Sequence, residues 1–350
     1  MRLSDFAGDI TYIPLETRPD CLLSSDLTLG VTEDLFILLD KGKVFRVFSK
    51  DGKFIRDIGS TGQGPGEYLS ARQFSIDKIA REICVASIFS KKKVIYSLDG
   101  QFLRDFTFPI RPNYVVREPS GGYHLGTYGP NVKDSVEYRF SRINGEGIIV
   151  QTYKDTRALQ SKSGAREFQY YTYDNQVWLQ NGFSDTIYRF TKDRWVPDIF
   201  FKLGSLAPPQ EFWENPDFKK NNQGRYIERV GFITREDNLM LFFNYQNKQY
   251  IGRYDKAGNT LAFANGTDTL SNGLINDLDG GPGVKPLWNE DDGNYWYILL
   301  QPVDLIDWKA KGYFDRTDIK NPDQNRKLKE LIGKLDINAN PVIMRVRKKK

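Results

Sequence analysis

Short runs in which apolar and polar positions alternate recur along the chain, and small polar clusters break them. VFRVFSKDGKFIRDI (44–58) and VIYSLDGQFLRDF (94–106) show the pattern well. Alternation of this period belongs to half-buried strands, and Asp-Gly or Asn-Gly between two such runs supplies the positive φ that a tight hairpin needs. Antiparallel hairpins are therefore the predicted local element.

The hairpins repeat. DGKFIRDI at 51–58 returns as DGQFLRDF at 99–106, with Asp, Gly, Phe, Arg and Asp in the same five places, 48 residues on. Weaker copies follow at YRFSRINGEGIIVQTY (138–153), TIYRFTKDRWVPDIFF (186–201) and YIGRYDKAGNTLAFA (250–264); Arg194 stands at the glycine place of the fourth. Upstream of each lies another strand pair: LTLGVTEDLFILLD, QFSIDKIAREICVAS, YVVREPSGGYHLGTYG, FQYYTYDNQVWLQN and VGFITREDNLMLFFNY. Four antiparallel strands per unit, repeated radially, predict an all-β propeller.

A sixth unit is split between the chain ends. VKPLWNEDDGNYWYILLQ supplies two strands, PVIMRVR (341–347) the third, and DITYIPLE (9–16) the fourth. Pairing 9–16 with 341–347 closes the ring and hides two strand edges that would otherwise template aggregation. The reading is a single domain over 1–350: a six-bladed β-propeller of four-stranded antiparallel blades, with helical insertions near 206–228 and 304–336. DIKNPDQNRKLKELIGKL (318–335) carries Leu328, Leu331, Ile332 and Leu335 at helical spacing, an apolar stripe to be packed on the propeller.

Composition agrees. The 350 residues are 39% hydrophobic and 14% aromatic, with 23 Phe, 19 Tyr and 6 Trp, types that favour strands. The net charge of +5 owes much to the terminal RVRKKK, so nucleic acid is not an expected partner. Cys21 and Cys84 lack metal or redox spacing and read as free thiols. No run approaches the ~18 apolar residues of a membrane helix, and MRLSDFAGDI lacks the apolar core of a signal peptide. A soluble chain, with any leader removed upstream, is expected.

With six units in view, the chain resembles the six-bladed propeller proteins of Bacteroides-type bacteria, related in shape to NHL-repeat and TolB-like propellers. YIPLET (12–17), DGKFIRDIGSTGQGPGEY (51–68), DGQFLRDF and SDTIYRF (184–190) carry the likeness. The resemblance implies an extracytoplasmic protein of the periplasm or cell surface, with a lipid anchor supplied by a leader outside this sequence. It brings no catalytic residues.

In a propeller the short turns within strand pairs gather on one face, and the blade-to-blade connections on the other. GQGPGE (62–67), 153–167, 206–228, 265–283 and the helical 302–340 segment all fall to the second, where a rigid scaffold presents binding loops. Polar or aromatic character selects Glu67, Tyr68, Arg72, Arg111, Tyr128, Trp213, Tyr245, Gln301 and Asp304 as candidate ligand contacts at the channel mouth.

Other chemistry is thin. GSTGQGPGEY has no lysine and runs into an alternating strand, so it reads as a connector rather than a phosphate loop. His124, the one histidine, cannot build a multi-histidine zinc site, and no GxSxG elbow presents a serine. Asp277 and Asp279 open NDLDGGPG like a calcium loop, but Gly281 comes early and Trp288 stands at the closing glutamate's place. A turn is the reading and calcium the alternative; no other cofactor is expected. The expectation is a monomeric, non-catalytic propeller binding a glycan, peptide or envelope protein. The alternative is a cation-assisted, lactonase-like hydrolase or lyase working in the channel.

Overall fold

LFILLD, the second strand of the first unit, is buried along its whole length, and its period-2 alternation sends side chains to two different neighbours. Phe36 and Leu38 pack with Ile13, Tyr297 and Ile343 on one side. Ile37 and Leu39 pack with Ile83, Val85, Val94 and Tyr96 on the other. A strand covered on both faces loses the polar half of its alternation, which is why this run reads as continuously apolar.

The computed structural model describes every residue except 72, 88–90, 111, 113, 119–120, 127–139, 154–167, 174–175, 182–184, 235–237, 266–272, 287–289 and 350. The chain is a six-bladed β-propeller of four-stranded antiparallel sheets. From inner to outer strand, blade 1 is Leu27–Val31, Leu35–Asp40, Val44–Ser49 and Phe54–Ile58; blade 2 is Gln73–Asp77, Glu82–Ser87, Lys92–Ser97 and Phe102–Thr107. Blade 3 is Tyr114–Arg117, Tyr123–Gly126, Phe140–Ile143 and Ile149–Tyr153; blade 4 is Phe168–Tyr173, Gln176–Asn181, Thr186–Thr191 and Arg194–Phe200. Blade 5 is Glu228–Thr234, Asn238–Tyr245, Lys248–Asp255 and Thr260–Asn265.

Blade 6 takes Glu290–Asp291, Tyr295–Leu300 and Val342–Lys348 from the C-terminal part and Ala7–Pro14 from the N-terminal part. The two chain ends pair as the sequence predicts, with Ile10 opposite Val346 and Ile13 opposite Ile343, and a bulge at Gly8. The strand limits differ from 9–16 and 341–347 by one or two residues, within the usual fraying of element ends.

Blades 1, 2 and 6 fall in one compact unit, Met1–Ser90 with Val94–Asp105 and Gly266–Lys350; blades 3 to 5 fall in the other, Lys91–Lys93 with Phe106–Asn265. In the second unit Trp178 and Ile187 of blade 4 pack with Phe232, Leu239 and Leu241 of blade 5.

Four helices sit in the two predicted insertions. α1 (Gln210–Glu214) and α2 (Pro216–Asn221) follow blade 4, and Asn215 caps α2 by accepting from the Asp217 and Phe218 amides at 3.0 and 3.1 Å. α3 (Pro302–Ala310) and α4 (Pro322–Gly333) lie between the second and third strands of blade 6. Leu328 and Ile332 of the predicted stripe are buried. Gln324 donates to the Ile10 carbonyl, so α4 touches the outer strand of blade 6 there, and Asn325 ties the helix to the Asp279 and Phe314 carbonyls. That bond satisfies one backbone carbonyl on the strand's open edge.

Candidate functional site

The glycine loop between blades 1 and 2 is closed by its own glutamate. Glu67 accepts from the Gly64 amide at 2.8 Å, Gly62 N donates to the Tyr68 carbonyl at 3.1 Å, and Ser60–Thr61 pairs in parallel with Glu67–Tyr68. A Cβ on Gly62 would lie 2.0 Å from Glu67 Oε2, so the carboxylate fills the concavity a phosphate would need. Tyr68 is buried, with its ring 6.3 Å from Phe45 and 6.4 Å from Tyr96. Burial pushes its phenol well above the ordinary range, and pushes Tyr96, which donates to the Gly66 carbonyl, up to about 12. Arg72 lies outside the described residues.

Of the other candidates, Arg111 and Tyr128 also lie outside the described residues, as do most of 153–167 and 266–272 of the 265–283 stretch. Gln301 is the N-cap residue of α3 and Asp304 is exposed in its first turn. Trp213 is half-buried against Phe212, ring centroids 5.2 Å apart, and the Lys219 ammonium stands 5.2 Å from the Trp213 ring.

Tyr245 ends the second strand of blade 5 within an aromatic group. Phe243 and Tyr250 face each other across the sheet and stack at 5.2 Å with planes 8° apart. Tyr245 and Phe263 each lie 6.4 Å from Tyr250, and Phe263 is 61% exposed. Register places Phe263 opposite Gly252, on the same sheet face as Tyr250, so a residue without a side chain leaves the ring uncovered. The insert that carries α1 and α2 borders this group, since Gln246 N donates to the Gly224 carbonyl at 3.1 Å.

His124 belongs to a buried network of blades 3 and 4. Its Nε2 is 3.1 Å from Glu118 Oε1, while Arg142 grips both Glu118 oxygens at 2.6 and 3.0 Å and reaches Asp193 at 2.9 Å. Phe190 and Trp195 pack on the imidazole at 4.6 and 4.9 Å. Burial drops its pKa to about 4 despite Glu118, so the ring is neutral at neutral pH.

Residues 273–284 form a buried knot against blade 6. Asp277 accepts from Ser4 N at 2.9 Å and Ser4 Oγ at 2.6 Å, and Asp279 Oδ1 from Asn276 at 2.7 Å and Gly281 N at 2.9 Å. Asn325 of α4 donates to the Asp279 carbonyl at 2.7 Å. Both carboxylates thus hold chain segments together, and among the described residues no three or more His, Cys, Asp or Glu gather as a metal site. Beside the knot opens a cavity of about 340 Å³, with Ser4, Leu278, Lys320, Asn321, Gln324 and Lys349 in its wall. The sequence singled out neither Ser4 nor Lys320, and Lys349 hid in the basic terminal run; chain closure brings them together, and no local pattern marks it.

The sequence matches the model of the family described as Domain of unknown function (DUF4934) over residues 1–347. This chain belongs to that family. No curated protein matches it. Among solved structures, the DUF4934 chain is similar to a Bacteroides fragilis protein named as exported, with 21% identity and a TM-score of 0.76 over 98% of this chain and 95% of that one. It is also similar to a member of the duf4221 family from Bacteroides vulgatus, with 12% identity and a TM-score of 0.54 over 98% and 97%. Both likenesses show the six-bladed fold.

Proposed function

We propose that this DUF4934 protein is a non-catalytic binding propeller of the bacterial envelope, a monomeric single domain that takes a glycan through the insert-bordered side of blade 5. The aromatic group of Phe243, Tyr245, Tyr250 and Phe263 carries the reading. Rings held rigid by a sheet offer flat apolar faces to sugar C–H groups at little entropic cost, and the exposed Gln246 and Asn247 amides beside them suit hydroxyls. The other chemically able groups, Glu67, His124, Asp277 and Asp279, are tied into bonds that hold the fold. The Bacteroides fragilis protein of the same fold, named as exported, supports an address in the periplasm or at the cell surface, through a lipid anchor or a cleaved leader.

Screening the protein against an array of oligosaccharides tests the proposal, followed by titration of any hit with Phe263→Ala and Tyr245→Ala. Binding weakened about tenfold or more in each variant is the expected result. Binding unchanged in both, or turnover of the sugar, ends the reading.

A further inference from the structure

Two lysines from distant parts of the chain converge on one serine. Lys320 donates to Ser4 Oγ at 2.6 Å, and Lys349 donates to the Ser4 carbonyl at 2.6 Å. Both line the cavity, and none of the residues lining it is acidic. Asp277, 1% exposed, lies 3.7 Å from Lys320 and 4.0 Å from Arg2. Among the described residues Lys349 has no carboxylate within 4.0 Å. Lys320 and Lys349 thus put two positive charges on a cavity wall that carries no carboxylate, and the open space beside them is where an anion would be attracted to both.

Size narrows the ligand. A water molecule claims about 30 Å³ of liquid, so a bare phosphate leaves most of about 340 Å³ unfilled, and the volume stands at the small end of organic-ligand pockets. Leu278 and Ala7 make part of the wall apolar, and Asn321 and Gln324 add amides. At the Gly8 bulge a Cβ would meet no atom within 4 Å, which keeps that side of the cavity open.

We propose that this cavity is a second ligand site, for a monosaccharide-sized molecule bearing one phosphate or carboxylate group, with the oxyanion between Lys320 and Lys349. It is independent of the aromatic side of blade 5.

Isothermal titration with glucose 6-phosphate, glucuronate, inorganic phosphate and glucose tests the site. The first or second should bind, the pair of arms separating phosphate from carboxylate; affinity should fall as salt rises, and glucose should not bind. Lys349→Met should weaken binding about tenfold or more, and Lys349→Arg should restore most of it. Gly8→Leu, which takes up cavity space and keeps both lysines, should also abolish binding and serves if Lys349→Met fails to fold. Absence of heat with all four compounds, glucose binding as well as the anions, or unchanged binding in both Lys349→Met and Gly8→Leu overturns the proposal.

Discussion

Tyr297 donates its hydroxyl hydrogen bond to Asp292 at 2.6 Å, and this pair of blade 6 forms one wall of a cage for Lys50 of blade 1. The Lys50 ammonium stands 4.6 Å from the Tyr297 ring centre and 4.5 Å from that of Phe36. Burial raises Asp292, but donation from Tyr297 and the Tyr295 and Asn294 amides outweighs it and leaves the carboxyl below its usual range. Burial also pulls Lys50 down to about 8 against the opposing charge of Asp292. Cation–π attraction offsets only part of the lost hydration.

That depression sets a pH dependence. Below pH about 8 Lys50 is protonated whether the chain is folded or not; between about 8 and 10.5 the unfolded chain alone holds the proton. Stability contributed through Lys50 therefore rises with pH across that window. Urea unfolding of the wild type and of Lys50→Met should show the difference moving in the wild type's favour from pH 8 to 10. A difference that stays flat would mean that Lys50 titrates normally.

Asn340 is a single side chain doing the work of several backbone contacts. Buried just before the third strand of blade 6, it donates to the carbonyls of Glu16 and Cys21 at 2.7 and 2.9 Å and accepts from Leu23 N at 2.8 Å. These bonds fix the passage from the outer strand of blade 6 to the inner strand of blade 1. Asn340→Ala takes the amide's bonds from the Cys21 carbonyl and the Leu23 amide and leaves the Glu16 carbonyl with only the weak Cys21 thiol donor, and should cost about 2–4 kcal/mol, read as a lower denaturant midpoint with unchanged slope. A loss under about 0.5 kcal/mol would show that water replaces the amide.

The propeller was legible because its turn chemistry repeats: DGKFIRDI and DGQFLRDF form corresponding turns and outer strands in blades 1 and 2. The split blade was legible because a three-stranded unit at one end and a spare strand at the other have one economical solution. Placement of the insertions was not. The stripe of Leu328 and Ile332 announces that α4 is covered but cannot say by what, and it is Gln324, bonded to Ile10, and Asn325, bonded to Asp279 and Phe314, that tie the helix down. Likewise Asp277 and Asp279 read in sequence as an acidic turn, with calcium as the alternative, and nothing in the run NDLDGGPG marks them as buried. Their burial depends on Ser4, which reaches Asp277 across the closure, on neighbouring Asn276 and on Asn325 of α4.

Closure itself makes a strong prediction. Removing residues 1–17 takes away Ala7–Pro14, exposes the Val342–Lys348 edge and strips Ile10 and Ile13 from the core. Two buried aliphatic side chains alone contribute about 3–6 kcal/mol, and the ladder adds to it. The melting temperature should fall by about 10 °C or more, with aggregation through the open edge seen by light scattering. An unchanged melt would sink the closure.

Three glycines separate two costs that are usually confounded. Gly8 has an ordinary φ and a Cβ there would meet nothing within 4 Å; Gly121 is equally open but has φ +97°; Gly52 has φ +84° and its Cβ would lie 2.2 Å from the Pro14 carbonyl oxygen. Gly8→Ala should be near neutral. Gly121→Ala should cost about 1–2 kcal/mol, the penalty of a side chain in left-handed backbone. Gly52→Ala adds a collision with backbone that cannot rotate away, so its loss should exceed that of Gly121→Ala by about 1 kcal/mol or more. Thermal and denaturant melts of the three variants check the order. Equal losses at positions 52 and 121 would mean that the outer strand of blade 6 yields to the blade 1 turn, and that Gly52 is kept for its φ alone.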